Sequence, residues 1–182
     1  MIFEWLSAAP SEAAIDTLDP SIRVLADALL RRAAAQGVSL AVTDGYRSWD
    51  DQERLYKQGR ETPGPIVTGA KPGYSWHQYS LAFDVAKLQD GKRTWPADRA
   101  FWERIGAIGA GLGLKWGGSF GDLPHFEYHP GLSFEDAMNG KRPPVPSVPP
   151  EGGGGSKSGW VAVGLFGALA AAGLWLARGK LW

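Results

Sequence analysis

A proline- and glycine-rich segment at residues 141–158 divides this 182-residue chain into two parts of different character. It carries prolines at positions 143, 144, 146, 149 and 150 and then four consecutive glycines at 152–155. Such a composition does not build a packed core and is typical of a linker, stiff where proline dominates and flexible where glycine does. The sequence therefore predicts one folded domain at residues 1–140, a common size for a single hydrophobic core.

The part after the linker contains an 18-residue run, Trp160–Ala177, without a charged side chain. A helix rises 1.5 Å per residue, so this run would cover roughly 27 Å, about the hydrocarbon core of a bilayer. We predict a transmembrane helix at residues 159–178 and a short basic tail at 179–182; the alternative is a buried helix of a soluble domain. Small residues at Gly164, Ala168 and Ala172 form a stripe through which such helices can self-associate.

The charges beside this run bear on the side of the membrane that the domain occupies. Arg178 and Lys180 follow the run and only Lys157 flanks its start, so the positive-inside rule favours a cytoplasmic C-terminus and an external domain. The first residues, Met-Ile-Phe-Glu-Trp-Leu, lack the basic region of a signal peptide, and a tail anchor without a signal peptide favours the opposite orientation. We expect a single membrane anchor, no signal peptide and an outward-facing domain.

The composition excludes several kinds of partner and site. Nineteen basic and 19 acidic residues give a formal net charge of zero, so the chain lacks the basic surplus typical of nucleic-acid binding. Because there is no cysteine, disulfides, thiolate metal sites and cysteine nucleophiles are excluded. A metal ion would have to be held by carboxylates and by the three histidines, His77, His125 and His129.

Within residues 1–140 the hydrophobic pattern alternates between helical and extended segments. Helices are predicted from Asp19 to about Gly37, up to about Gln58 after a cap at Ser48 or Asp50, and from Asp98 to about Gly111. Strands are predicted at 38–43, 81–86 and 125–128. Helices mixed with short strands in one domain predict an α+β fold.

Two segments carry residues suited to chemistry. In the first, His77 and Asp84 lie seven residues apart around a turn into an apolar strand; in the second, His125 follows a glycine-rich loop and Asp122 lies three residues before it. Two histidines and one aspartate suffice to hold Zn²⁺ and leave a fourth position open. Taken singly, each histidine is equally consistent with a hydrogen-bonded core residue.

These motifs resemble the VanY/D-Ala-D-Ala carboxypeptidase family of zinc peptidases, peptidase family M15. The motif S-x-H-x-x-G-x-A-x-D is matched by Ser75, His77, Ala82 and Asp84, and the acid-x-x-His motif by Asp122 and His125. The likeness covers roughly residues 19–130 and includes a Gly-Tyr-Arg-Ser segment at 45–48. It implies a small antiparallel sheet flanked by helices with a zinc site, as in Hedgehog and D,D-peptidase folds.

The nearest branch is that of L-alanyl-D-glutamate endopeptidases of bacterial cell-wall enzymes and phage endolysins, which the run Lys-Trp-Gly-Gly at 115–118 particularly resembles. The chain departs from the family pattern at two positions. Ser80 occupies the usual glycine position, where a positive φ is expected at a modest cost. Asp122 stands where carboxypeptidase branches typically have glutamate, which favours the endopeptidase branch.

The resemblance implies a role for each matching residue. One Zn²⁺ would be held by His77, Asp84 and His125, with Asp122 as the base and Arg47 as the donor to the oxyanion. Substrate contacts are assigned to Gln52, Ser75, Trp116 and His129. Three alternatives stay open: Arg47 serves a structural salt bridge instead, Glu127 is either a hydrogen-bond acceptor that orients a ligand histidine or a plain exposed strand residue, and His129 is incidental.

The implied activity is hydrolysis of peptidoglycan stem peptides at the L-Ala–D-Glu bond, in cell-wall lysis or remodelling. The domain would then face the cell wall or periplasm. The first alternative is a D-alanyl-D-alanine carboxypeptidase, which would need a further basic residue near Arg47, with Arg54 and Lys71 as candidates. The second is a non-catalytic, zinc-containing module that binds the cell wall; a base and an oxyanion donor would have no use in it.

Overall fold

A computed structural model describes residues 10–148 of the chain. Its helices are α1 (Pro10–Asp16), α2 (Pro20–Ala35), α3 (Trp49–Lys57), α4 (Arg99–Ala110) and α5 (Phe134–Met138). Its strands are β1 (Leu40–Asp44), β2 (Ala82–Gln89), β3 (Lys92–Thr94), β4 (Lys115–Trp116) and β5 (His125–Glu127). Two short 3₁₀ helices span Trp76–Tyr79 and Gly117–Ser119. The predicted α+β class is confirmed.

The three predicted helices begin where capping chemistry places them. The side chains of Asp19, Ser48 and Asp98 accept hydrogen bonds from the backbone N–H groups of Ser21, Asp51 and Ala100. Each bond satisfies one of the N–H groups that the first turn of a helix leaves without an intrahelical partner.

The strands form one antiparallel sheet in the order β1-β2-β5-β4, and β3 also pairs with β2. β2 is central because its first residues pair with β5, its middle with β1 and its last residues with β3. A bulge in β1 between Val42 and Asp44 shifts the register next to the loop that carries Arg47. β2 extends to Gln89, three residues beyond the predicted strand.

Helices α2 and α4 cover one face of the sheet. Ile22, Leu25 and Leu29 of α2 are each at most 1% exposed, as are Trp102 and Ile105 of α4. The strands contribute Phe83, Val85 and Phe126 to the same core. Because side chains alternate along a strand, their neighbours Asp84, His125 and Glu127 face the other side of the sheet.

The described start of the predicted linker, residues 141–148, contains neither helix nor strand and lies against the domain. Pro143 is buried and Val148 packs on the core. Among residues 10–148 no helix combines the length and the apolar character needed to cross a membrane. The predicted transmembrane helix at 159–178 and the basic tail lie outside the described residues.

Candidate active site and metal centre

Asp84 and His125 are brought together by strand pairing. They are direct partners across the antiparallel pair β2–β5, with His125 Nδ1 at 3.0 Å from Asp84 Oδ1. Their neighbours Phe83 and Phe126 stack in the core on the opposite face. The alternation that buries two phenylalanines therefore also places a carboxylate and an imidazole side by side on the open face.

His77 reaches the same point from the 3₁₀ helix that precedes β2. Its Nδ1 lies 2.7 Å from the carbonyl oxygen of Gly45, and its own carbonyl accepts a hydrogen bond from the N–H of Arg47. Ser80 ends this helix with φ +60°, so the positive φ expected at this position is confirmed. With Nδ1–H donated to a carbonyl, Nε2 is left with a free lone pair directed at the site.

The three side chains fit a zinc ion. His77 Nε2 lies 3.2 Å from His125 Nδ1 and 3.6 Å from Asp84 Oδ1, and the third edge of the triangle is the 3.0 Å contact between Asp84 and His125. Donors at the usual distance from a tetrahedral Zn²⁺ lie about 3.3 Å from one another. The set of two imidazole nitrogens and one carboxylate oxygen is also one that zinc accepts.

The charges in this cluster favour a cation at its centre. Burial acts to raise the pKa of Asp84, but hydrogen bonds from His125 and His77 hold it well below its usual range. Burial acts to lower the pKa of His125, yet Asp84 and Glu127 raise it to about 9. Two carboxylates thus stabilise positive charge at His125, a charge that a divalent ion bound to the neutral imidazole can supply instead.

Glu127 contacts the edge of the His125 ring that faces away from His77 and Asp84. Of the two alternatives left open by the sequence, this contact favours the hydrogen-bond acceptor over the exposed strand residue. Its side chain is only 5% exposed, and its Oε2 lies 3.4 Å from His125 Nε2. His129 and Lys115 approach its other oxygen at 3.2 and 2.5 Å. Burial acts to raise the pKa of Glu127, but His125, His129 and Lys115 hold it well below its usual range. The carboxylate therefore stays ionised and can orient the ring of His125.

Asp122 stands at the end of the glycine-rich loop, exposed in the cleft beside the metal residues. Partial burial and the nearby charge of Asp84 raise its pKa. The loop approaches closely at Gly117, where a Cβ would lie 2.4 Å from the Asp122 carbonyl oxygen and 2.8 Å from His125 Cβ. Glycine at this position lets Asp122 and His125 turn in beside each other.

Arg47 follows β1 and its guanidinium lines the cleft while only 17% exposed. It forms an ion pair with Asp44, and its Nη1 donates to Gln52 Oε1 at 3.1 Å. Gln52 is fully buried, and its Nε2 donates to the carbonyl of Ala70 at 2.7 Å. The salt bridge considered from sequence is present, and it holds the guanidinium in the cleft.

The cleft itself is open and has a volume of about 970 Å³. The metal residues, Asp122, Arg47 and Ser75 line it, together with aromatic rings of Tyr74, Trp76, Phe120 and Phe134. Gln52, Trp116 and His129 are not among its lining residues. Trp116 donates its indole N–H to the Leu123 carbonyl, and His129 stacks on Trp76 at 3.9 Å between ring centres.

Comparison with known proteins shows the family of the chain. The sequence model of the VanY family, described as D-alanyl-D-alanine carboxypeptidase, matches residues 16–114. The chain belongs to this family. The match includes His77 and Asp84 but ends before Asp122 and His125, and the pairing of β2 with β5 brings His125 to the candidate site.

Individual members of the family resemble the chain to different degrees. The peptidoglycan L-alanyl-D-glutamate endopeptidase CwlK of Bacillus subtilis (strain 168) is 40% identical over 124 residues, covering 62% of this chain and 74% of CwlK. The crystal structure of the Serratia marcescens L-Ala D-Glu endopeptidase ChiX matches with a TM-score of 0.51 and 23% identity, covering 71% of this chain and 90% of ChiX. The ChiX match shows that the two share a fold.

Two features of the cleft were not predicted from the sequence. Lys115 lines it, whereas Arg54 and Lys71, the basic residues considered for a second cationic position, do not. Phe134 and Tyr74 form part of its wall, where Phe134 stacks on Trp76 and meets Tyr74 edge to face. Lys115 could have been found, since it opens the Lys-Trp-Gly-Gly run, but nothing local indicates that this run borders the metal residues.

Proposed function

We propose that this chain is a zinc-dependent peptidoglycan peptidase that hydrolyses the L-Ala–D-Glu bond of the stem peptide. The observation that carries the proposal is the triangle of His77 Nε2, Asp84 Oδ1 and His125 Nδ1, with edges of 3.0 to 3.6 Å, in a cleft that also holds Asp122 and Arg47. Membership of the VanY family supports a peptidase, and 40% identity to an L-alanyl-D-glutamate endopeptidase supports the choice of bond.

The three candidate metal ligands, Asp122 and Arg47 each have a function in this reaction that follows from their surroundings. His77, Asp84 and His125 would hold the zinc ion, which would supply a Lewis acid able to polarise the scissile carbonyl and to lower the pKa of water. Asp122 takes the proton of the attacking water and passes it to the departing amine, which requires its ionised form at the start. Arg47 donates to the oxygen that becomes negative, and its bonds to Asp44 and Gln52 hold it ready.

The test is mass spectrometry of muropeptides incubated with the full-length protein, with and without chelator. We expect chelator-sensitive release of the stem from L-Ala, reduced about 10²- to 10⁴-fold by Asp122→Asn at unchanged zinc content. Asp90→Asn is the matched control, since Asp90 is exposed in the turn between β2 and β3 and asparagine tolerates its positive φ.

The other outcomes identify the alternatives. Release of D-Ala with intact L-Ala–D-Glu bonds would assign the carboxypeptidase activity after which the family is named. Unchanged muropeptides from a folded, zinc-loaded protein would support the non-catalytic cell-wall module.

We also propose that residues 159–178 anchor the enzyme in a membrane with the domain on the side of the cell wall. The support is the uncharged run Trp160–Ala177 and the basic residues that follow it. Protease added to intact cells that express the full chain should digest the domain; complete protection would contradict this orientation.

A further inference from the structure

Lys115 has a position in the cleft that neither the metal site nor the proposed base accounts for. Its side chain is 57% exposed and lines the cleft, and its ammonium lies 5.6 Å from the ring centre of Phe120. It is the first residue of β4 and pairs with Glu127 across the sheet. The sheet therefore holds the backbone of Lys115 in place, while its ammonium group is still open to the cleft.

The charge of Lys115 is only partly used within the protein. Its Nζ lies 2.5 Å from Glu127 Oε1, but an ammonium group has three donors, and Glu127 also interacts with His125 and His129. Of the residues that line the cleft, Arg47 and Lys115 are the two with permanent positive charge. Both are ion-paired, but Arg47 is only 17% exposed and is also held by Gln52, whereas Lys115 is 57% exposed, so Lys115 is the cation more open to an anionic ligand.

Lys115 lines the cleft together with the segment that ends at the proposed base. Asp122, which would protonate the departing amine, ends the same segment that Lys115 begins, residues 115–122. Arg47, which would meet the carbonyl oxygen, comes from the loop after β1. Phe120 of this segment lies close to both Lys115 and His125, with its ring centre 5.6 Å from Lys115 Nζ and 5.8 Å from that of His125. The residue that contributes the amine is therefore expected to lie along the 115–122 segment, next to Lys115.

In an L-Ala–D-Glu substrate that residue is glutamate. It has two carboxyl groups, and because only one continues the peptide, the other is a free carboxylate a few bonds from the departing nitrogen. We propose that Lys115 binds this free carboxylate and so selects substrates with an anion on the amine side of the bond. The inference rests on the proposed function and adds the recognition element that separates glutamate from neutral residues at this position.

The experiment compares two synthetic stem tripeptides that are identical except that the free carboxylate of D-glutamate is an amide in one of them. Full-length wild-type protein should cleave the carboxylate form with a kcat/KM about tenfold higher, the scale of one charge-assisted hydrogen bond. Lys115→Met should bring this ratio close to one, mainly by lowering kcat/KM for the carboxylate substrate. Lys115→Arg should restore most of the ratio. Lys92→Met, at an exposed lysine of β3, is the matched control and should keep the wild-type ratio.

The ratio separates recognition from a structural role. If Lys115 serves only to neutralise the buried Glu127, Lys115→Met will lower both rates equally and leave the ratio unchanged, which overturns the inference. A wild-type ratio near one overturns it as well, while leaving the proposed function in place. If folded, zinc-loaded wild type cleaves neither peptide, the proposed function fails and the inference with it.

Discussion

The two histidines of the candidate metal centre turn different nitrogens towards it. The hydrogen-bond partner of each ring decides which nitrogen this is. His77 binds the Gly45 carbonyl through Nδ1 and offers Nε2, whereas His125 faces Glu127 with Nε2 and offers Nδ1. A carbonyl and a carboxylate differ as supports, because only the carboxylate adds a negative charge that raises the basicity of the ring. Glu127 is thus expected to strengthen metal binding through His125.

We predict that Glu127→Gln lowers zinc affinity about 10- to 100-fold. The substitution keeps the size of the side chain and removes the charge that faces His125 Nε2. Competition with a chromophoric chelator measures the affinity. Glu103→Gln, at a 55% exposed surface pair with Arg99, is the control and should have no effect. Equal affinity of Glu127→Gln and wild type would mean that Glu127 does not support the ligand.

At the scale of elements, helix α5 and the 3₁₀ helix at 76–79 together build the aromatic wall of the cleft. Phe134 stacks on Trp76 at 4.3 Å between ring centres, and Trp76 stacks in turn on His129. α5 has only five residues, too few for a stable helix by backbone bonding alone, so its caps matter. Ser133 and Asp136 form a capping box in which each side chain accepts from the backbone N–H of the other residue.

Asp136 makes the stability of this element depend on pH. The neighbouring Lys141 and the hydrogen bonds from Ser133 lower the pKa of Asp136 to about 2. Because the folded-state pKa lies below the ordinary value, the stabilisation is complete above about pH 4 and is lost as the pH falls through about 2. We predict that Asp136→Asn lowers the urea midpoint at neutral pH and that this difference shrinks between pH 4 and pH 2.

The control for this prediction is Glu135→Gln, which removes a negative charge from the adjacent exposed position and leaves the capping box intact. A difference between wild type and Asp136→Asn that stays constant down to pH 2 would show that the carboxylate charge does not stabilise α5.

At the scale of the whole domain, the metal centre depends on how closely α4 lies on the sheet. Gly106 and Gly109 of α4 face Trp116 of β4 and Phe126 of β5, and a Cβ on either would lie 2.4 to 2.5 Å from a ring atom. Phe126 is the immediate neighbour of His125 along β5. The two glycines therefore let a helix on the far face lie close to the strand that carries the candidate ligand His125 on the open face.

We predict that Gly109→Ala destabilises the domain by about 1–3 kcal/mol through overpacking, despite the higher helix propensity of alanine. Gly111→Ala is the control, because the nearest atoms to its Cβ are at 3.4 Å and its φ is −66°, and it should change stability by less than about 0.5 kcal/mol. Urea unfolding measures both. Similar stability of the two variants would show that α4 can move away from Phe126 without cost.

The sequence by itself determined the features that depend on neighbouring residues. The starts of α2 and α4 were predicted at Asp19 and Asp98 and that of α3 at Ser48 or Asp50, because capping acts within three residues, and the apolar pattern located β1, β2 and β5. β3, β4 and α5 were not predicted, since β3 contains no apolar residue, β4 has only two residues and α5 has five, little more than one helical turn. The candidate ligands could be named because the motifs around His77, Asp84 and His125 resemble those of the VanY family.

Only the tertiary structure decided how those ligands meet. Asp84 and His125 are 41 residues apart, and their contact depends on the register of β2 against β5, which no local pattern specifies. The same pairing buries Glu127 behind His125 and, through β4, brings Lys115 to the cleft. Register is set by the packing of Phe83 and Phe126 beneath α4, so the charge and geometry of the site are consequences of a core formed on the other face of the sheet.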